Sequence, residues 1–183
     1  MLKNYKFLVF GIFLFFAVFN AFSADFTLTS LSFDNGGRIL PKNANYGVID
    51  GNNISPQFFW NNAPSGVKSY ALVCIDTAPK ANNWVHWFAC NIPASVTMLD
   101  QGDSDDEGMP ENSIQLLNSF GVKGYSGPQP PAGSGVHTYV FTVYALSVEN
   151  IQPLSSFMDY NKIEVFLKPY VIAKATYAGT FER

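Results

Sequence analysis

From residue 24 onward, short apolar runs alternate with clusters of Gly, Pro, Asn and Asp. Residues 26–33 place Phe26, Leu28, Ser30 and Ser32 on one side against Thr27, Thr29, Leu31 and Phe33 on the other, a period of two that predicts a strand. Asp34-Asn35-Gly36-Gly37 and Asp50-Gly51-Asn52-Asn53 read as turns, and Phe58-Phe59-Trp60 as an aromatic strand. Residues 69–76 are apolar enough for an interior strand, and residues 84–92 form the next. The clearest alternation lies in 137–146, where Val140, Thr142 and Tyr144 oppose Tyr139, Phe141 and Val143. Helical pattern is confined to residues 161–175, and Pro169 interrupts it. Residues 100–118 are polar and acidic and read as a long surface loop. Many short strands with turn punctuation predict a mostly β fold: two antiparallel sheets in a Greek-key-like sandwich, with a few short, mainly C-terminal helices.

The first residues follow a different pattern. Lys3 and Lys6 precede an apolar run over residues 7–19, and Ala21-Phe22-Ser23 offers small residues at the spacing of a cleavage site. The run is short for a spanning helix, which needs about 20 apolar residues. The reading is a signal peptide over 1–23 and one domain over 24–183, with a periplasmic or secreted protein and no transmembrane helix after signal removal. The chain carries 11 basic and 14 acidic residues. Without Lys3 and Lys6 the balance is 9 against 14, with no basic stripe, so nucleic acid is not an expected partner. Cys74 and Cys90 suit either an exported disulfide or two buried thiols. A hairpin centred between residues 76 and 86 sets Cys74 near Phe88, one diagonal step from Cys90, which favours free thiols.

Few residues carry candidate chemistry. Asp103-x-Asp105-x-Glu107-Gly108 imitates the start of a calcium loop, but Ile114 stands where a bidentate Glu is needed. Gly124-Tyr125-Ser126-Gly127-Pro128 lacks the second Gly of a nucleophile elbow. The informative set is Asp76, His86 and His137. The two histidines are the only ones in the chain, each opens a strand, and Asp76 closes the strand before the first. The same hairpin brings Asp76 near His86, where a carboxylate fixes the imidazole tautomer and favours its charged form. Three readings fit these residues: local structural histidines, a three-ligand metal site, or an anion pocket. In the last, imidazolium groups and backbone N–H groups of the loop 124–135 act as donors, with a hydroxyl from Tyr125 or Tyr139.

At these residues the chain resembles the phosphatidylethanolamine-binding proteins, also called Raf kinase inhibitor-like proteins. Gly51-x-Asn53-x-Ser55-Pro56 with Trp60, His86-Trp87 with Asn91-Ile92-Pro93, and Gly124-Tyr125-x-Gly127-Pro128-x-Pro130-Pro131-x-Gly133 with His137-x-Tyr139 occur in the family's order. The resemblance covers nearly all of residues 24–183 and is closest to the bacterial exported branch. It implies a two-sheet fold and a site for phosphate-like or carboxylate groups. Asp76, His86 and His137 would line that site, Gly127 and Gln129 would supply backbone donors, and Tyr139 would stand at the edge. Two departures are visible. Asp76-Thr77-Ala78-Pro79 lacks the family's second Asp, and Thr138 replaces the usual basic residue. The expected function is binding of a small anionic or phosphorylated ligand, including a phospholipid headgroup, without cofactor, metal or catalysis. An interaction or inhibitor module that recognises a phosphorylated protein is the alternative, and a metal-dependent enzyme the third.

Overall fold

The structure is a computed structural model that describes residues 24–183 except Asp106 and Leu154. The signal-peptide expectation for 1–23 lies outside the described residues. Eight strands and one helix follow in the order β1 (Thr27–Thr29), β2 (Phe58–Asn61), β3 (Ser69–Asp76), β4 (Trp84–Pro93), β5 (Met98–Leu99), β6 (Ile114–Gln115), β7 (His137–Leu146), α1 (Tyr160–Leu167) and β8 (Val171–Phe181). They form a three-stranded sheet, β1-β2-β5, and a five-stranded sheet, β6-β4-β3-β7-β8. All strand pairings are antiparallel. The fold is therefore mostly β, in two sheets, as the alternation predicts.

The inner strands β3 and β4 of the large sheet are buried on both faces, which explains why residues 70–75 are apolar without a break. Leu72, Cys74, Tyr139, Phe141 and Val143 face the small sheet and pack with Phe58 and Trp60 in one core. Their neighbours Val73, Ile75, Tyr144 and Leu146 face the other way and pack with Ile163 and Leu167 of α1 in a second core. Alternation thus sorts the inner strands between two cores rather than between core and water.

Three local expectations need correction. The helix spans only Tyr160–Leu167, capped by Asp159, whose side chain accepts from the Lys162 N–H at 2.9 Å. Beyond Pro169 the chain enters β8, an eleven-residue strand paired along β7. Its inward set, Ala175, Tyr177, Gly179 and Phe181, mixes small and large residues, and the alternation is easily read as a continuing helix. Where residues 26–33 predict a strand, the ladder lasts only through Thr27–Thr29. Beyond it Ser30 Oγ donates to Gln57 O at 2.5 Å and Ser32 Oγ accepts from Gln57 N at 2.9 Å, so side chains replace the ladder bonds. The acidic stretch 100–118 is only partly a surface loop. It contributes β6, which pairs with Ala89 and Cys90 of β4, and it buries Leu116 and Asn118.

The β3–β4 register also differs from a regular hairpin. Ile75 pairs with Val85 but Cys74 pairs with Trp87, so the register shifts between them. Cys74 therefore lies opposite Trp87, not Phe88. Cys74 joins the inter-sheet core and Cys90 the core beneath α1. The thiols lie on opposite faces of the sheet, and both are free and buried.

Candidate functional site

The ends of three neighbouring strands build the site. β3 ends at Asp76, which pairs with Trp84 at the start of β4 and with Tyr139 near the start of β7. The register shift leaves His86 unmatched between Val85 and Trp87. A bulge of this kind re-aims a side chain at a sheet edge. His86 is locked reciprocally to the following loop: Ser126 N donates to His86 O at 2.9 Å, and His86 Nδ1 lies 2.5 Å from Ser126 O. Buried Asn118 shapes that loop from within, donating to Gly124 O at 3.0 Å and to Ser126 Oγ at 2.8 Å.

Asp76 pairs with His137 rather than with His86. His137 Nδ1 lies 2.6 Å from Asp76 Oδ2, and both side chains are buried. Antiparallel pairing puts Asp76 and the first residues of β7 side by side, while the register shift moves His86 out of the ladder. The other carboxylate oxygen, Oδ1, accepts from Ala78 N at 2.9 Å. On its far side His137 Nε2 lies 3.0 Å from Ser134 Oγ, and that hydroxyl donates to Pro131 O at 2.7 Å. The Ser134 hydroxyl thus bridges the Pro131 carbonyl and the His137 ring.

These residues surround a cavity of about 260 Å³. Of the six residues that sequence reasoning places at the site, Asp76, His86, Gln129, His137 and Tyr139 line it. Gly127 does not. Its N–H donates to Asn53 Oδ1 at 2.8 Å, so it is not a donor to the cavity. Its missing side chain has another reason: a Cβ there would meet Asn43 O at 2.1 Å, a close backbone approach that only Gly allows. Tyr125 is likewise engaged elsewhere, with its hydroxyl donating to Asn43 O at 2.8 Å. Sequence reasoning missed Lys80, Trp84, Phe120 and Ser134 in the lining. Phe120, alone among the small and polar residues of 118–121, was the one signal available. It stacks edge-on against Trp84 and His86 at 5.6 and 5.5 Å between ring centres.

The electrostatics depart from a pocket of paired imidazolium groups. Burial pulls the pKa of His86 down from 6.5 to about 4, against smaller opposing effects from the Ser126 carbonyl and the Asp76 charge. His86 is therefore neutral near pH 7. Because Ser126 O can only accept, the ring proton sits on Nδ1, and Nε2 carries a lone pair. The Tyr139 hydroxyl is buried without a hydrogen bond of sound geometry among the described residues. Asp76 lies close enough for its carboxylate to act on that hydroxyl while it accepts from His137 and from Ala78 N. Burial, reinforced by the Asp76 charge, pushes the Tyr139 pKa up, so the hydroxyl stays a donor. Among the described residues Lys80 is the only Lys or Arg in the lining, at the exposed rim. Among the described residues no group of three or more His, Cys, Asp or Glu side chains is placed to hold a metal ion.

Comparison with known proteins covers nearly the whole described chain. The profile of the family described as phosphatidylethanolamine-binding protein matches residues 29–182. The chain is 35% identical to the UPF0098 protein YbcL of Escherichia coli strain K12 over 171 residues, covering 91% of this chain and 93% of that one. It is 36% identical to a UPF0098 protein of Aquifex aeolicus strain VF5 over 172 residues, covering 92% and 95% of the two chains. The crystal structure of E. coli YbcL, described as a new member of the mammalian PEBP family, superimposes with a TM-score of 0.79 at 33% identity, covering 87% of this chain and 99% of that one. The ordered motifs, the two-sheet fold and the matched span lead to one conclusion: this chain belongs to the phosphatidylethanolamine-binding protein family.

Proposed function

We propose that this protein binds a small anionic group of phosphoryl type in the cavity at the end of the five-stranded sheet. The observation that carries the reading is the cavity of about 260 Å³ lined by Asp76, His86, His137 and Tyr139, with Lys80 at its exposed rim. The family's description, phosphatidylethanolamine-binding protein, supports the same chemistry. The exposed Trp84 and Phe120 at the rim suit a phosphoryl group presented on a larger apolar body.

The test is titration calorimetry with inorganic phosphate on the wild type and on Tyr139→Phe. The substitution keeps the buried ring and removes only the hydroxyl, so folding stability should hold. Affinity should fall by about 1.5–3 kcal/mol, the range for a hydrogen bond to a charged group. Unchanged affinity would remove Tyr139 from the site and take the reading with it. Export is part of the proposal and rests on the leader pattern of residues 1–23. Protein recovered outside the cytoplasm should begin at Ala24 or Asp25, and an intact Met1 on membrane-bound protein would contradict removal of the leader.

A further inference from the structure

Three side chains of the cavity wall are joined in a line. Asp76 Oδ2 lies 2.6 Å from His137 Nδ1, and His137 Nε2 lies 3.0 Å from Ser134 Oγ. A hydroxyl, an imidazole that bridges through both nitrogens and a carboxylate are the parts of a nucleophile, its base and the group that orients the base. Such a set is recognised by geometry and not by chain order. All three residues line the cavity. Ser134 is half-buried, whereas His137 and Asp76 are only 3% and 4% exposed, so the hydroxyl stands at the wall with the carboxylate shielded from water behind it.

The acceptors around this line fix its protons. Asp76 accepts, so a neutral His137 carries its proton on Nδ1 and keeps a lone pair on Nε2. Facing that lone pair, Ser134 Oγ turns its own proton towards the ring. Pro131 O draws the same hydroxyl from 2.7 Å. The Ser134 N–H also donates to that carbonyl, at 3.1 Å, so Pro131 O keeps a partner when the hydroxyl turns. The carboxylate is held in place, since Oδ1 accepts from Ala78 N at 2.9 Å.

We propose that Ser134 is a nucleophile activated by His137 and Asp76, and that it hydrolyses carboxylic esters of small acyl groups. This activity goes beyond anion binding and does not depend on it. Ser134 Oγ attacks the ester carbonyl carbon while its proton passes to His137 Nε2. The carbonyl electron pair moves to oxygen, and Lys80 in the same lining is the counter-charge for that oxyanion. The pair then returns, the bond from carbon to the alcohol oxygen breaks, and the alcohol leaves with the proton from Nε2. Water attacks the acyl group on Ser134 and gives a proton to His137. The acid departs as Oγ takes that proton back. Trp84 and Phe120, packed edge-on and 42% and 41% exposed, offer an apolar face to the alcohol. The cavity of about 260 Å³ limits the size of the acyl group.

The experiment follows hydrolysis of p-nitrophenyl acetate and p-nitrophenyl octanoate by the purified protein, with mass spectrometry after treatment with phenylmethanesulfonyl fluoride. The expected result is saturable hydrolysis of the acetate, with kcat/KM for the octanoate lower by at least about tenfold. One sulfonyl group, its fluoride lost, should be found on the peptide that contains Ser134. Ser134→Ala should lose the adduct and fall to the rate of buffer, with an unchanged melting temperature. Asp76→Asn separates orientation of the base from structure. The Ala78 N–H keeps the amide oxygen on its own side, so the amide nitrogen donates to His137 Nδ1 and the ring proton moves to Nε2, where it faces Ser134. kcat should then fall by at least about 100-fold, the contribution of a general base, with KM retained. Hydrolysis no faster than buffer in the wild type, or a rate and adduct that survive Ser134→Ala, would overturn the proposal. An undiminished rate in Asp76→Asn would overturn the role of the His137–Asp76 pair, and faster hydrolysis of the octanoate would overturn the acyl class.

Discussion

At the scale of single residues, His86 and Asp76 show how burial decides chemistry. The pKa of His86 is about 4 in the folded protein and about 6.5 when the chain is unfolded. Between those values the unfolded state binds the extra proton, so stability falls as pH drops through that window and levels off below it. Each pH unit of that window is worth about 1.4 kcal/mol, so the whole loss amounts to about 3 kcal/mol. Urea denaturation of wild type and His86→Gln at pH 7 and pH 4.5 should show a stability difference that shrinks at the lower pH. A constant difference would mean that His86 is not held neutral. Asp76→Ala acts differently, because it leaves the His137 Nδ1–H buried without its acceptor. That orphan should cost about 1–3 kcal/mol, measurable as a lower urea midpoint, whereas most exposed substitutions stay within about 0.5 kcal/mol.

At the scale of elements, the loop after Gly124 and the β3–β4 hairpin work together. The bulge turns His86 out of the ladder, and the Ser126 carbonyl captures its ring. Gly127 follows immediately, pinned to Asn53 and pressed against the backbone of residues 43–45. Gly127→Ala has no flexible side chain to displace, since the nearest atoms are backbone. It should destabilise by about 1–3 kcal/mol, as overpacking does, and it should also weaken phosphate binding by shifting Ser126. Thermal melting and calorimetry read the two effects separately; a melting temperature equal to wild type would contradict the close approach. The same hairpin separates the thiols. Burial raises the Cys90 pKa to about 12 and the Cys74 pKa well above its usual value. Neither thiol should react with an alkylating reagent in the native protein, and both should react once it is denatured without reductant. A mass without two added groups would contradict the free-thiol structure.

At the scale of the whole molecule, one large sheet divides two cores, and the cavity lies at the end of the sheet, sharing Tyr139 with the inter-sheet core. No residue of α1 lines the cavity. Ile163, fully buried on α1, therefore separates stability from binding. Ile163→Ala should cost about 2–5 kcal/mol, the range for truncating a buried Ile. Phosphate affinity should stay at the wild-type value while the protein is folded. Weakened binding at a temperature where the variant is fully folded would show that the second core supports the site. Among the described residues no helix is long and apolar enough to cross a membrane.

Much of this protein is legible along the chain. The apolar run of 69–76, the strand that follows it at 84–92 and the alternation in 137–146 mark three of the strands of the large sheet. The order of the glycine, proline and histidine motifs identifies the family, and five of six expected site residues line one cavity. Other properties depend on neighbours far away in sequence. β8 is a strand because β7 offers it an unpaired edge, although Ala173, Lys174 and Ala175 suit a helix by themselves. Asp76 pairs with His137 because β3 and β7 are adjacent, a fact of sheet order that hairpin spacing does not contain. A single bulge reverses the face of Cys90 and frees His86, since a shift of one residue in a period-two structure changes which side a chain presents. The tautomer and charge of His86 were decided last, by a carbonyl forty residues away and by the exclusion of water around the ring.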